Sequence, residues 1–78
     1  MSIDPDGPTP VYQQVAGIIR ARITSGELQP DRPVPSIVQL VQEFGIARGT
    51  AIKALSVLGE EGLTVVVPGR GTYVKVPE

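Results

Sequence analysis

The chain contains neither histidine nor cysteine. That removes the commonest general base, the thiolate nucleophile and the usual zinc ligands together. Glu60 and Glu61 are adjacent at the end of a helix, where solvation is the simplest reading. Gly69-Arg70-Gly71 has the glycines of a phosphate loop but no helix behind it, so it reads as a tight turn. No enzyme, cofactor or metal site is expected. The chemistry that remains is charge and hydrogen-bond donation. Arg48 offers a planar fork that donates two hydrogen bonds at once, and Lys53 a point charge further along the same segment. Ser36 and Thr50 add hydroxyls, and Arg70 a second guanidinium beside Gly69. Such groups suit a phosphate or the edge of a base.

The formal net charge is −1, which is low for a protein that binds a polyanion. The charge is unevenly spread. Arg48, Lys53, Arg70 and Lys75 outnumber Glu60 and Glu61 over residues 44–75, whereas Asp4, Asp6, Glu27 and Asp31 outnumber Arg20 and Arg22 over residues 1–31. A basic second half is compatible with a nucleic-acid face. Nothing near the start reads as a signal peptide, and the longest apolar run, Val65-Val66-Val67, is far too short to span a bilayer. A cytoplasmic protein without membrane contact is expected.

The elements that must position these side chains follow from periodicity and punctuation. Seventy-eight residues make one small domain. Residues 1–8 are a polar, Pro/Gly-rich stretch and are expected to form a flexible arm; residues 9–76 form the domain and 77–78 its end. Thr9 reads as an N-cap with Pro10 at the first helical position. Val11, Val15, Ile18, Ile19 and Ile23 recur at helical spacing, and Gly26 stops the helix. Residues 29–33 form a turn, and Val34 a short strand. Ser36 and Gln39 fit a capping box, Leu40, Val41 and Phe44 make the apolar face of a second helix, and Gly45 ends it. A short turn leads to a third helix from about Ala47 to about Glu61. Ala51, Ala54, Leu55 and Leu58 face its core, and Gly62 caps it. Residues 63–67 and 72–76 read as strands around a turn. Ile18, Leu40, Leu55 and Leu58 are expected in the core, with Tyr12 and Tyr73 covering it. The fold class is mainly α with a small β-hairpin: three helices followed by a two-stranded wing, with a helix-turn-helix at the second and third helices.

Over residues 10–74 the chain resembles the GntR family of bacterial regulators. Four stretches carry the match: Pro10-Val-Tyr-Gln-Gln-Val15; Gly26-Glu-Leu-Gln-Pro30 with Val34-Pro35-Ser36; Phe44-Gly-Ile-Ala-Arg-Gly-Thr50 continued by Ala54-Leu55 and Leu58; and Glu61-Gly-Leu63 with Gly69-Arg-Gly-Thr-Tyr-Val74. Each is weak alone; the order and spacing make the set specific. The resemblance implies a winged helix-turn-helix whose third helix enters the major groove with Ala47-Arg48-Gly49-Thr50 at the base edges. It also implies a wing tip that reaches the minor groove, where arginine is favoured. Candidate DNA contacts are then Ser36, Arg48, Gly49, Thr50, Lys53, Gly69 and Arg70. The plain alternatives are a solvated charge at a helix start for Arg48, an ordinary surface lysine for Lys53, and turn residues for Gly69 and Arg70. The implied function is transcriptional repression through a palindromic operator, bound by a homodimer at least on DNA. The chain reads as a free-standing DNA-binding domain without a small-molecule effector site.

Four positions depart from the pattern. The family's acid and arginine after Ser36 are replaced by Ile37 and Val38, and a frequent arginine by Ile52. The usual serine or threonine cap of the recognition helix is replaced by Ala47. Loss of two phosphate contacts flattens the salt dependence of DNA binding by about 0.9 for each. Two readings of Ile37, Val38 and Ile52 stand side by side. In one, Ile52 or Val38 touches a thymine methyl and changes sequence preference. In the other, the three form an apolar face for a protein partner, and the domain is an interaction module with weakened DNA binding.

Overall fold

The computed structural model describes residues 3–76. Three helices precede a hairpin: α1 (Val11–Thr24), α2 (Ile37–Phe44), α3 (Arg48–Glu60), β1 (Thr64–Val67) and β2 (Gly71–Val74). This is the expected winged helix-turn-helix.

Each boundary has a local cause. Pro10 is itself the N-cap of α1, with no side-chain cap. The cap expected at Thr9 is therefore displaced by one residue. Pro10 itself is extended, with ψ 144°, and its carbonyl accepts the first helical bond from Gln14 N–H at 3.1 Å. The Thr9 carbonyl instead accepts from the Gln14 side chain at 2.7 Å. The same amide accepts from Asp4 N–H and donates to the Asp4 carbonyl, each at 2.8 Å, and Ile3 packs against the core. Residues 1–2 of the expected arm and the expected end at 77–78 lie outside the described residues.

The capping box of α2 is complete: Gln39 N–H donates to Ser36 Oγ at 3.1 Å, and Ser36 N–H donates to Gln39 Oε1 at 2.7 Å. Left-handed Gly45 ends α2. At the end of α3, Gly62 N–H donates to the Gly59 carbonyl and Leu63 N–H to the Leu58 carbonyl. This paired pattern needs a left-handed residue after the cap; Gly62 supplies it at φ 78° without a Cβ penalty.

The core is built from small and branched residues on facing helices. Val15, Ala16 and Ile19 of α1 meet Leu40 of α2 and Ala51, Ala54 and Leu58 of α3 in one buried cluster. Three alanines in it let the helix backbones approach closely while the larger side chains fill the space between. Ile18 is buried as expected. Leu55, expected in the core, is only half-buried, because it sits on the edge of α3 that faces the hairpin. Tyr12 packs against the core cluster, whereas Tyr73 is half-buried on the hairpin.

The hairpin is antiparallel, with Thr64 opposite Val74, Val65 opposite Tyr73, Val66 opposite Thr72 and Val67 opposite Gly71. Both strands are shorter than the sequence suggests. Leu63 gives its N–H to the α3 cap, although its carbonyl still accepts from Lys75 N–H at 2.9 Å. The segment before α2 pairs with the outer edge of β2: Pro33 bridges Tyr73, and Val34 N–H donates to the Thr72 carbonyl at 3.0 Å. The hairpin is thereby anchored to the helix-turn-helix, and the short strand expected at Val34 is this pairing.

Candidate nucleic-acid interface

The cations of the helices and the wing tip fall into two sets. On α1, Arg20 pairs with Glu61 at 2.8 Å, and Arg22 pairs with Glu43 and, at 3.5 Å, with Glu27. The Arg22 hydrogen bond, followed by its charge, holds the Glu43 carboxyl below the usual glutamate range despite some opposing desolvation. Arg48, Lys53 and Arg70 have no acidic partner within ion-pair distance among the described residues. All three are exposed, two on α3 and one at the hairpin tip. Arg32 before α2 and Lys75 after β2 are likewise unpaired among the described residues, so ion pairing is confined to the cations of α1.

Arg48 is the first residue of α3. Ala47, the N-cap, is extended and makes no side-chain cap bond, so the amides of the first turn keep their donors for an outside acceptor. Gly49 follows, and a Cβ placed there would meet nothing within 4 Å. Its surroundings are open to an approaching backbone. Thr50 is half-buried beside Val11 and Ala47.

Lys53 is exposed on α3, as expected, and has an aromatic neighbour besides. Its ammonium lies over the Tyr12 ring, 4.8 Å from the centroid, and the Tyr12 hydroxyl accepts from the Gln13 side chain at 3.2 Å. Tyr12 is thus part of the neighbourhood of α3 as well as of the core. Sequence reasoning missed this pair, since residues 12 and 53 lie on different helices with no pattern linking them.

The hairpin tip is a tight turn. Arg70 N–H donates to the Val67 carbonyl at 3.0 Å, Pro68 follows Val67, and Gly69 has φ 76°. Proline then glycine at the central positions define a type II turn. It lifts Arg70 into solvent. Ser36 caps α2 with its oxygen as acceptor and retains its hydroxyl hydrogen as a donor.

The three apolar departures differ in exposure. Ile37 is half-buried against the core, whereas Val38 is 56% and Ile52 47% exposed. Ile37 and Ile52 border one groove, of about 700 Å³, between α3 and the hairpin, and Val38 is not among its lining residues. The groove also takes in Val66, which is 71% exposed, and Thr72. Of the three, Ile37 and Ile52 share this groove, and Val66 joins them there. Strand alternation was the available signal for Val66, since it shares a face with Thr64.

The family model for bacterial regulatory proteins of the gntR family matches residues 11–74. The chain belongs to the GntR family. That family is one of transcription regulators and not of enzymes, and the matched segment is its winged helix-turn-helix DNA-binding domain. Among curated relatives, the HTH-type transcriptional repressor NagR of Bacillus subtilis is 44% identical over 78 residues, which is 100% of this chain and 32% of that protein. The mannosyl-D-glycerate transport/metabolism system repressor MngR of Escherichia coli is 42% identical over 69 residues, 88% of this chain and 29% of that one. The chain thus spans about a third of the length of these relatives. Among solved structures, the GntR-family transcription factor YtrA from Sulfolobus acidocaldarius superposes with a TM-score of 0.90 at 37% identity, covering 100% of this chain and 66% of that one. The crystal structure of AraR(DBD) in complex with operator ORX1 gives 0.83 at 34% identity, covering 95% of this chain and 98% of that one. Among the described residues, no helix is long and apolar enough to cross a membrane, and no group of acidic residues is placed to hold a metal ion.

Proposed function

We propose that this GntR domain binds double-stranded operator DNA in a sequence-specific manner and acts in transcriptional repression. The observation that carries the reading is the match to AraR(DBD), whose structure is a complex with operator and which aligns over 95% of this chain. In this account α3 lies in the major groove. Arg48 donates to guanine O6 and N7, or grips a phosphate. The uncapped amides of α3, Thr50 and the Ser36 hydroxyl hold the sugar-phosphate backbone, and Gly49 admits it at close range. Lys53 adds phosphate attraction from its seat on Tyr12. The turn at Gly69 and Arg70 enters the minor groove.

Two copies bind a palindromic operator as a homodimer, with half-sites about one helical turn apart. Relatives named as repressors support repression as the output. No effector site is assigned within these 78 residues, and a cytoplasmic setting goes with the DNA target.

Selection from a random-sequence duplex pool tests the proposal. A palindromic consensus is expected, with binding lost when five base pairs are inserted between its halves. Enrichment of no sequence over bulk DNA would remove sequence specificity from the account.

A further inference from the structure

The groove between α3 and the hairpin, bordered by Ile37, Ile52, Val66 and Thr72, has no cation in its lining, and Glu60 is its charged residue. Ile52 is four residues beyond Arg48 on α3 and 47% exposed. Residues four apart share a helix face, so Ile52 presents its side chain to whatever Arg48 contacts.

We propose that Ile52 is a specificity-determining residue that reads the 5-methyl group of a thymine, with Val66 excluding water on the wing side. The proposal rests on the DNA-binding reading above. The argument is one of elimination by chemistry. In the major groove, guanine presents acceptors, cytosine a donor, adenine one of each, and only thymine an apolar group. A branched aliphatic side chain pressed against a guanine or cytosine edge leaves a desolvated polar group without a partner. Pressed against a thymine methyl, it buries apolar surface on both sides. Half-buried Ile37 and Leu55 line the same groove and add apolar surface beside Ile52, with the hydroxyls of Ser56, Thr64 and Thr72 also on its wall. Spacing then locates the thymine. Four residues of α-helix advance about 6 Å, and base pairs stack about 3.4 Å apart. The thymine lies within two base pairs of the guanine read by Arg48.

The test uses the operator enriched from the random pool. Each thymine is replaced singly, in both half-sites, by deoxyuridine, which deletes only the methyl group. At one position per half-site, close to the position sensitive to Arg48→Ala, affinity is expected to fall about three- to fivefold for each lost methyl. Ile52→Ala, a change at a half-exposed position, is expected to bind the thymine and deoxyuridine duplexes equally. Operator binding that persists undiminished with deoxyuridine at every position overturns the assignment, as does methyl dependence that survives in Ile52→Ala. Failure to bind any duplex overturns the DNA-binding reading itself and the thymine assignment with it.

Discussion

The Lys53 ammonium sits 4.8 Å from the centre of the Tyr12 ring, and this contact joins α3 to the first turn of α1. A cation over an exposed aromatic face is worth about 0.5–1 kcal/mol. The ring fixes where the charge stands without neutralising it. Lys53→Ala is expected to lower unfolding free energy by no more than about 1 kcal/mol in urea titrations. The same variant should reduce the slope of log affinity against log salt by about 0.9, the signature of one lost phosphate contact. Tyr12→Phe keeps the ring and should leave both quantities close to wild type. A full salt slope in Lys53→Ala would reduce Lys53 to a purely structural residue.

Ser36 has two tasks that one pair of substitutions separates. Ser36→Ala removes the acceptor for Gln39 N–H and should cost about 1 kcal/mol. For a domain of this size that lowers Tm by about 4–8 °C. Ser36→Asp restores a capping acceptor but places a negative charge on the proposed DNA face. It should recover most of the lost Tm and weaken DNA binding below that of Ser36→Ala. Equal affinity of the two variants would show that Ser36 does not approach DNA.

The Arg22–Glu43 pair gives a pH signature. Its hydrogen bond holds the folded-state carboxyl below the usual glutamate range. A depressed carboxyl stabilises the fold at all pH values above its unfolded range, and that contribution is lost as pH falls through the folded value. Wild type should therefore exceed Glu43→Gln in stability near neutral pH, and the difference should vanish in acid. Glu43 is 40% exposed on its side chain, so solvent screening keeps the difference within about 1 kcal/mol. Thermal melts of both proteins across the acid range measure it. A gap that widened toward low pH would contradict the assignment.

Much of this architecture is legible in the residues. The capping box at Ser36 and Gln39 and the apolar spacing of Val15 and Ile19 act over one or two turns, so a local pattern reports them. The turn at Pro68 and Gly69 is readable for the same reason. Thr9 misleads by one position, because Pro10 is itself extended and its carbonyl opens the helical ladder. Leu55 fits the helical period, yet only packing of the hairpin decides how much of it is covered. The site divides in the same way. Arg48 and Arg70 are marked by a helix start and a turn. The Tyr12–Lys53 contact and the grouping of Ile37 and Ile52 with Val66 depend on tertiary placement, which no spacing along the chain encodes. The pairing of Arg20 with Glu61 and of Arg22 with Glu43, which leaves the α3 and wing cations among the unpaired ones, is also a tertiary fact.

Fluorescence anisotropy on operator duplex and on random-sequence duplex, across a salt series, tests the central claim most directly when wild type and Arg48→Ala are measured together. The account predicts salt-sensitive binding by wild type, preference for operator, and a loss of about 1–3 kcal/mol in Arg48→Ala that falls mainly on the operator. Absence of binding at low salt, or identical operator affinity for the two proteins, would contradict the assignment of α3 as the DNA-reading helix.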